Sequence, residues 1–209
     1  MAEENRVNPE VEEEVTEEQL SEQRMIRREK LKALQEAGRN PFIHETWDVT
    51  AHSMDIKNNF EAMEDQEVSV AGRIMAFRHM GKASFVDIQD KQGRIQLFVG
   101  KDAIGEENYN WFKTYDMGDI LGVEGVVFKT RTGEVSVRAS RVELLSKSIQ
   151  VLPNKWQGLK DQDARYRQRY VDLIINPDVK EVFVKRAQIL KEFRRVLEED
   201  LGYLEVDAP

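Results

Sequence analysis

The sequence predicts an all-β, five-stranded barrel of the OB-fold type, with an α-helix before it and an incomplete α+β domain after it. Between residues 67 and 146, five short segments rich in β-forming residues are separated by turn residues. A helix-like insert, Glu106–Tyr115, lies between the third and the fourth segment. This order of elements is typical of OB-folds, which often bind nucleic acid. In chain order, the predicted strands are Glu67–Arg78, Lys82–Asp90, Gly93–Val99, Asp119–Thr130 and Glu134–Ser146.

The net charge of −8 is unfavourable for a nucleic-acid-binding protein, but it is concentrated at one end of the chain. Residues 1–22 contain nine glutamates against Arg6 alone, so this segment carries the whole net charge. Acidic blocks of this kind are usually disordered and solvated. We therefore expect residues 1–22 to be an acidic, disordered tail and the remaining chain to be neutral overall.

Composition excludes several kinds of site. The chain has no cysteine and only three isolated histidines, so neither disulfides nor a metal-ligand cluster is expected. No apolar run approaches the roughly 18 residues of a membrane helix, and the first residues have no signal-peptide core. We expect a cytoplasmic protein with no metal site and no membrane contact.

The chain divides by composition into five parts. After the tail, residues 23–63 form an N-terminal helix and a mixed connector, with Trp47 and Phe60 as expected packing anchors. Residues 64–150 form the barrel, 151–175 a polar junction, and 176–209 the beginning of a further domain.

The N-terminal helix carries a cluster of arginines. Helical composition runs from Thr16 to Ala37, and Arg24, Arg27 and Arg28 stand at i, i+3 and i+4, which places them on one face. Two interpretations are open: a solvated surface helix that pairs locally with glutamates, or a stripe that contacts RNA phosphates.

Alternation along the second and third strands assigns their faces. One face is aliphatic and should be the barrel core: Val86, Ile88, Ile95, Leu97 and Val99. The opposite face combines aromatic, amide and charged side chains: Phe85, Asp87, Arg94, Gln96 and Phe98. OB-folds hold single strands on this outward surface.

The outward face offers two candidate base contacts. Phe85 can stack on a base, and Gln96 can both donate to and accept from a base edge. Alternatively, the ring of Phe85 or of Phe98 packs under a loop or a neighbouring domain. We favour this alternative for Phe98 and base stacking for Phe85.

Two further candidates lie at strand ends. Strict alternation would turn Arg78 towards the core face of Val70 and Ile74, although a bulge at the strand end could turn it outward. Glu134 follows Gly133 in the predicted turn between the last two strands, and it could neutralise Arg131 or accept hydrogen bonds from a base.

The C-terminal third reads as a junction followed by an unfinished domain. Arg165, Arg167 and Arg169 are expected to form a salt-bridge cluster where a helix begins. A helical period follows Pro177 as far as Gly202, and Tyr203–Val206 reads as a strand. One helix and one strand cannot close a domain, so we expect more chain beyond residue 209 to be needed.

Several segments together resemble bacterial lysyl-tRNA synthetase, a class II enzyme, from about Arg24 to the last residue. Four segments are similar to its N-terminal anticodon-binding domain: Met80–Phe85 (MGKASF), Gly93–Phe98 (GRIQLF), Gly118–Gly122 (GDILG) and Lys129–Glu134 (KTRTGE). Leu159–Leu173 resembles the junction into the catalytic domain, and Arg186–Pro209 resembles class II motif 1. Aspartyl- and asparaginyl-tRNA synthetases share the architecture and are an alternative, as is a stand-alone OB-fold module that binds single-stranded nucleic acid.

The resemblance implies roles for individual residues. The barrel would hold the unstacked anticodon of tRNA-Lys, with Phe85 as the stacking aromatic, Gln96 as the base-edge amide and Arg78 as an arginine contact. Glu134 would be an acidic contact to the first anticodon base. The resemblance also favours contacts between the tRNA backbone and Arg24, Arg27 and Arg28.

The family attaches lysine to its tRNA with ATP and Mg²⁺, and it forms homodimers through motif 1. The residues that bind ATP, Mg²⁺ and lysine belong to motifs 2 and 3, which residues 1–209 do not contain. The resemblance therefore implies no cofactor in this chain, a tRNA partner, and no catalysis by the isolated polypeptide. Val206–Pro209 (VDAP) also departs from the VETP that is usual in motif 1.

Overall fold

The computed structural model describes residues 17–153 and 161–206, and the chain divides into two units between Val151 and Leu152. The first unit contains a closed barrel whose strands follow the order β1-β2-β3-β5-β4. Its strands are β1 (Glu67–Met80), β2 (Ala83–Gln89), β3 (Arg94–Gly100), β4 (Ile120–Lys129) and β5 (Val135–Ser146). Its helices are α1 (Glu17–Glu36), α2 (Ser53–Asn58), α3 (Phe60–Met63), α4 (Lys101–Ile104) and α5 (Glu106–Phe112).

The barrel closes through one parallel and four antiparallel strand pairs. β3 and β5 are the parallel pair, aligned from Gln96 opposite Ser136 to Phe98 opposite Arg138. The other four neighbouring pairs are antiparallel. Closure leaves no free sheet edge, and the predicted OB-fold barrel with an N-terminal helix is confirmed.

The core is aliphatic and is sealed by the helical insert. The five residues predicted to face inward on β2 and β3 are at most 2% exposed. Tyr109 and Phe112 of α5 are equally buried against this cluster. The predicted helix Glu106–Tyr115 is therefore present but ends at Phe112, and a short preceding helix, α4, joins it to β3.

A bulge within β1 reverses the orientation of its second half. The pairing with β2 shifts register between Ile74 and Ala76, and Ile74 and Met75 are both buried. After this extra residue, Phe77 faces the core side opposite Val86, and Arg78 faces outward opposite Phe85. The bulge that we expected at the strand end thus lies three residues before Arg78.

The N-terminal helix overlaps the segment that was predicted to be a disordered tail. α1 starts at Glu17, so residues 17–22 are helical, and the expectation of disorder is wrong for them. Residues 1–16 of the predicted tail lie outside the described residues. Leu34 of α1 is buried in the barrel cluster, which attaches the helix to the first unit.

Several contacts fix the connector between α1 and β1 to the barrel, and two of them involve Trp47 and Ser53. A side chain at Gly122 would overlap the ring of Trp47 at 2.5 Å, so the absence of a Cβ lets the indole lie directly on β4. The carboxylate of Asp90 accepts hydrogen bonds from the backbone N–H and the hydroxyl of Ser53, at 2.6 and 2.7 Å. Asp90 thereby holds the first residue of α2 at the turn between β2 and β3.

The second unit is helical in its described part, with α6 (Gln162–Arg167), α7 (Arg169–Ile175) and α8 (Pro177–Arg195) followed by a π-helical turn, Val196–Asp200. Buried Asp172 accepts hydrogen bonds from Arg165 and Arg169, so two of the three arginines expected to cluster at the junction share this carboxylate. Arg167 instead pairs with the exposed Asp163.

The strand predicted at Tyr203–Val206 is not formed: within the described ranges, no strand lies beside this segment to form a ladder with it, and its backbone contact is a single bond from the N–H of Tyr203 to the carbonyl of Leu197. Residues 154–160 and 207–209, which include parts of the junction and of the motif-1 segment, lie outside the described residues.

Candidate nucleic-acid interface

The outward face of β2 and β3 is a partly open, polar and aromatic surface. Burial alternates strictly along both strands, with Phe85, Asp87, Gln96 and Phe98 half-buried on the side opposite the core. The face assignment made from the sequence is confirmed by this pattern.

A cleft of about 400 Å³ opens on this face. Its lining consists of Lys57, Arg78, Asp87, Arg94, Ile95, Gln96, Thr132 and Glu134. Three of the four predicted base-contact residues, Arg78, Gln96 and Glu134, therefore line one cleft although they come from three different strands or turns. Phe85 is outside the lining, but its Cα is paired with that of Arg78 in the β1–β2 ladder.

Arg78 reaches the cleft because of the bulge in β1. Its side chain is 56% exposed, and its Nη2 lies 3.6 Å from Oδ1 of Asp87 on β2. At this distance the two side chains form an ion pair but no hydrogen bond. The N–H groups of the Arg78 guanidinium can therefore donate to another acceptor. A phosphate or a base carbonyl would be such an acceptor.

Gln96 lines the cleft, and a neighbouring strand holds one end of its amide. The hydroxyl of Ser136 on β5 donates to Oε1 of Gln96 at 3.1 Å. Among the described residues, no acceptor for Nε2 of Gln96 is found, so this N–H₂ group remains able to donate to a ligand. The bond from Ser136 fixes the amide orientation that such a donation needs.

Glu134 pairs with a residue that the sequence did not suggest. Nζ of Lys57, near the end of α2, lies 2.9 Å from Oε1 of Glu134. The predicted neutralisation by Arg131 does not occur, since the only cation paired with Glu134 among the described residues is Lys57. Oε2 has no partner within the described ranges, and the carboxylate is 48% exposed.

An aromatic row continues from Phe85 across the outer surface. The ring of Phe85 lies 5.3 Å from that of Phe98, which in turn makes an edge contact with Phe128 at 6.2 Å. The guanidinium of Arg138 lies 4.7 Å above the Phe128 ring. Phe98 thus contacts aromatic rings on β2 and β4, and Phe85 and Phe128 are the two ends of this row.

The balance of charges in the cleft favours an anionic ligand. Three cations line it, Lys57, Arg78 and Arg94, against two carboxylates, Asp87 and Glu134. The two carboxylates cancel two of these cations, so the cleft keeps one net positive charge, whereas residues 23–209 as a whole carry none. Cations that face an exposed groove beside a stacking aromatic are typical of surfaces that bind single-stranded nucleic acid.

The three arginines of α1 do not form one exposed stripe. Arg27 is only 7% exposed, and its Nη1 donates to the carbonyl oxygens of Ser148 and Gln150 at 3.0 Å each. The expected phosphate contact of Arg27 is therefore corrected: its guanidinium is used inside the unit. Arg24 and Arg28 are exposed and have no ion pair among the described residues.

A buried ionic cluster connects α1 with the segments that precede β4 and follow β5. Nζ of Lys147, which is fully buried, contacts Oδ2 of Asp119 at 2.8 Å and Oδ2 of Asp116 at 2.5 Å. Lys30 of α1 pairs with the other oxygen of Asp116 at 2.6 Å. Burial raises the pKa of Asp116, but the hydrogen bonds and charges of Lys147 and Lys30 outweigh it, so the pKa lies below its usual value.

Two features of the interface were not predicted. Lys57 belongs to a connector without a clear hydrophobic period, and it meets Glu134 over a separation of 77 residues, so no local pattern could have identified the pair. Arg94 and Asp87 were assigned to the outward face, but nothing in the sequence indicated that they line the same cleft as Glu134.

The described residues contain no group of three histidines, aspartates or glutamates placed to hold a metal ion. Within the same ranges, the helices are too short or too polar to cross a membrane.

Comparison with known proteins gives two matches along the chain. Residues 68–145 match the family described as OB-fold nucleic acid binding domain, and residues 161–209 match tRNA synthetases class II (D, K and N). The chain is an anticodon-type OB-fold domain followed by part of a class II tRNA synthetase domain. The second match argues against a stand-alone nucleic-acid-binding module.

Curated relatives of the anticodon-type domain and its synthetase segment are named lysine–tRNA ligase. That of Thermoanaerobacter pseudethanolicus is 55% identical over 92% of this chain, and that of Clostridium perfringens is 54% identical over the same share. That of Moorella thermoacetica is 50% identical over 88%. The chain spans 37–38% of the length of these relatives. Their names favour lysine over the aspartyl and asparaginyl alternatives.

Proposed function

We propose that this chain recognises the anticodon of tRNA-Lys as the RNA-binding part of a lysine–tRNA ligase in the cytoplasm. The observation that carries the proposal is the convergence of Arg78, Gln96 and Glu134 on one cleft beside Phe85. The similarity to proteins named lysine–tRNA ligase supports the lysine identity.

Each cleft residue has a distinct task in this proposal. Phe85 stacks on an unpaired base, and Gln96 donates from Nε2 to a base carbonyl while Ser136 holds its oxygen. Glu134 accepts a hydrogen bond from an N–H of the first anticodon base. Arg78 donates to a carbonyl or phosphate oxygen from its exposed guanidinium.

The tRNA backbone would contact α1 through its exposed arginines. Arg24 and Arg28 lie one helical turn apart and have no ion pair within the described ranges, whereas Arg27 serves to hold the helix. Phosphate contacts by such side chains release counterions and add affinity that does not depend on base sequence.

The ligase as a whole would use ATP and Mg²⁺ to activate lysine before its transfer to tRNA. We assign no residue of this chain to either cofactor. Pairing with a second copy would use the second unit, where apolar side chains on α8 remain exposed, Ile189 by 69% and Phe193 by 63%.

The test is binding of an isolated tRNA-Lys anticodon stem-loop to the chain, measured by fluorescence anisotropy. Phe85→Ala should weaken binding by about 1–3 kcal/mol, the usual contribution of one base–aromatic stack. Phe42→Ala is the matched control, because Phe42 is an exposed aromatic residue outside the cleft. Equal affinities of wild type and Phe85→Ala would overturn the proposal, as would equal affinity for a stem-loop with an unrelated anticodon.

A further inference from the structure

The pair Lys57–Glu134 joins two separate elements that line the same cleft. Lys57 is on α2, and Glu134 is in the turn between β4 and β5. The side chains are 31% and 48% exposed, so the pair is accessible to a ligand in the cleft. An isolated surface pair of this kind contributes little to the stability of the fold, so stability alone does not explain its position in the cleft.

The position of Lys57 is set by the barrel and not by its own helix alone. Asp90, whose side chain is 8% exposed, binds the backbone N–H of Ser53 at the start of α2. Gln92 of the same turn donates from Nε2 to both carboxylate oxygens of Asp55, at 3.0 and 3.2 Å. These contacts fix α2 to the β2–β3 turn, and Lys57 therefore reaches Glu134 from a preset position.

Glu134 needs such a partner because its own turn does not orient its carboxylate. The backbone N–H of Glu134 bonds to Oγ1 of Thr130, but this contact leaves the side chain free to rotate. The bond from Lys57 to Oε1 fixes the carboxylate within the cleft lining and leaves Oε2 for a ligand N–H. It also neutralises a negative charge that would otherwise repel RNA phosphates.

We propose that Lys57 is a positioning residue for base recognition: it orients and neutralises Glu134 so that the free oxygen of that carboxylate reads one anticodon base. This inference rests on the proposed function of the cleft. Lys57 acts through Glu134 and makes no phosphate contact of its own, so removing either partner should abolish the same interaction.

A double-mutant cycle tests this coupling. Lys57→Met, Glu134→Ala and the double variant are compared by their dissociation constants for the tRNA-Lys anticodon stem-loop. Each single variant should bind roughly tenfold more weakly, the loss expected for one hydrogen bond to a charged group. The double variant should be no weaker than either single variant, and Lys57→Arg should recover most of the affinity.

Two further readouts separate positioning from other roles. The slope of log affinity against log salt should be the same in wild type and in the Lys57→Met/Glu134→Ala double variant. That variant loses one cation and one carboxylate, so the net charge of the cleft is unchanged, and a positioning residue neutralises no phosphate. Lys101→Met is the matched control: it removes a cation with 32% side-chain exposure that is paired with Glu106 outside the cleft, and it should leave binding unchanged.

Strictly additive losses in the cycle would overturn the inference, as would a salt slope of the double variant that is reduced by roughly 0.7–0.9, the size of one phosphate contact. A Lys57→Met variant that binds as well as Lys101→Met would overturn it too. The Phe85→Ala measurement keeps the two proposals apart. If Phe85→Ala weakens binding while the cycle is additive, the cleft binds the anticodon but Lys57 does not position Glu134.

Discussion

Nη1 of Arg27 donates to the carbonyl oxygen of Ser148 at 3.0 Å, across 121 residues of sequence. The same nitrogen donates to the carbonyl oxygen of Gln150 at 3.0 Å. A buried guanidinium thus ties α1 to the segment that leaves β5. The helix that would present Arg24 and Arg28 to RNA is therefore held to the barrel by a residue from the same arginine cluster.

Arg27→Ala should destabilise the first unit without a specific effect on RNA binding. The substitution removes two charge-assisted bonds to carbonyl oxygens and should lower the free energy of unfolding by about 1–3 kcal/mol. Urea denaturation followed by circular dichroism measures the change. The salt dependence of tRNA binding should stay as in wild type, and a shallower slope in the folded variant would show that Arg27 contacts phosphate after all.

The exposed arginines of α1 should behave in the opposite way. The double variant Arg24→Ala/Arg28→Ala should unfold as wild type does, because neither side chain has an ion pair among the described residues. Its log–log salt slope for complete tRNA-Lys should fall by roughly 0.9 for each phosphate that the variant no longer neutralises. Lys32→Ala is the control on the same helix, since Lys32 already pairs with Glu36. An unchanged slope in the double variant would contradict backbone binding by α1.

The sequence was sufficient to predict the barrel because alternation and turn chemistry are local signals. Period-2 burial on β2 and β3 identified both faces, and the order of strands and helix predicted the closed topology. Arg78 was the exception. Its direction depends on an extra residue at Met75, and two adjacent apolar residues in a strand do not reveal which one is bulged.

The residues that the sequence analysis misplaced or missed depend on contacts between distant segments. Arg27 has the same spacing as its exposed neighbours, and only the docking of α1 on Ser148 decides that it is buried. Lys57 is likewise placed by Asp90 and Glu134, which are far from it in sequence. A polar residue shows no hydrophobic period, so its partner can be found only in the folded chain.

Lys147→Met should be among the most destabilising single changes in the first unit. The Lys147 side chain is fully buried between the carboxylates of Asp116 and Asp119, and its removal leaves two carboxylates without their shared cation. Breaking a buried pair on one side typically costs about 3–5 kcal/mol. Lys30→Met, which removes a 32% exposed partner of Asp116, should cost about 1 kcal/mol or less. Similar urea midpoints for the two variants would show that the buried cluster does not stabilise the fold.

The same cluster should produce a loss of stability in acid. Burial raises the pKa of Asp116, but Lys147 and Lys30 lower it further than burial raises it, so the folded chain holds the carboxylate charged below its usual range. A depressed folded pKa gives stability that is complete above the unfolded pKa of about 4 and is lost as pH falls through the folded value. The free energy of unfolding should therefore decline below about pH 4, and Asp116→Asn should be less stable at pH 7 with a shallower decline. Asp102→Asn, an exposed change outside the cluster, should retain the wild-type profile in urea titrations from about pH 2 to 7. If Asp116→Asn instead kept the full decline, the acid sensitivity would have to come from other carboxylates.

Asp90 would be the next carboxylate to test. Burial raises its pKa, but hydrogen bonds from Ser53, Gly93 and Gln92 lower that pKa further.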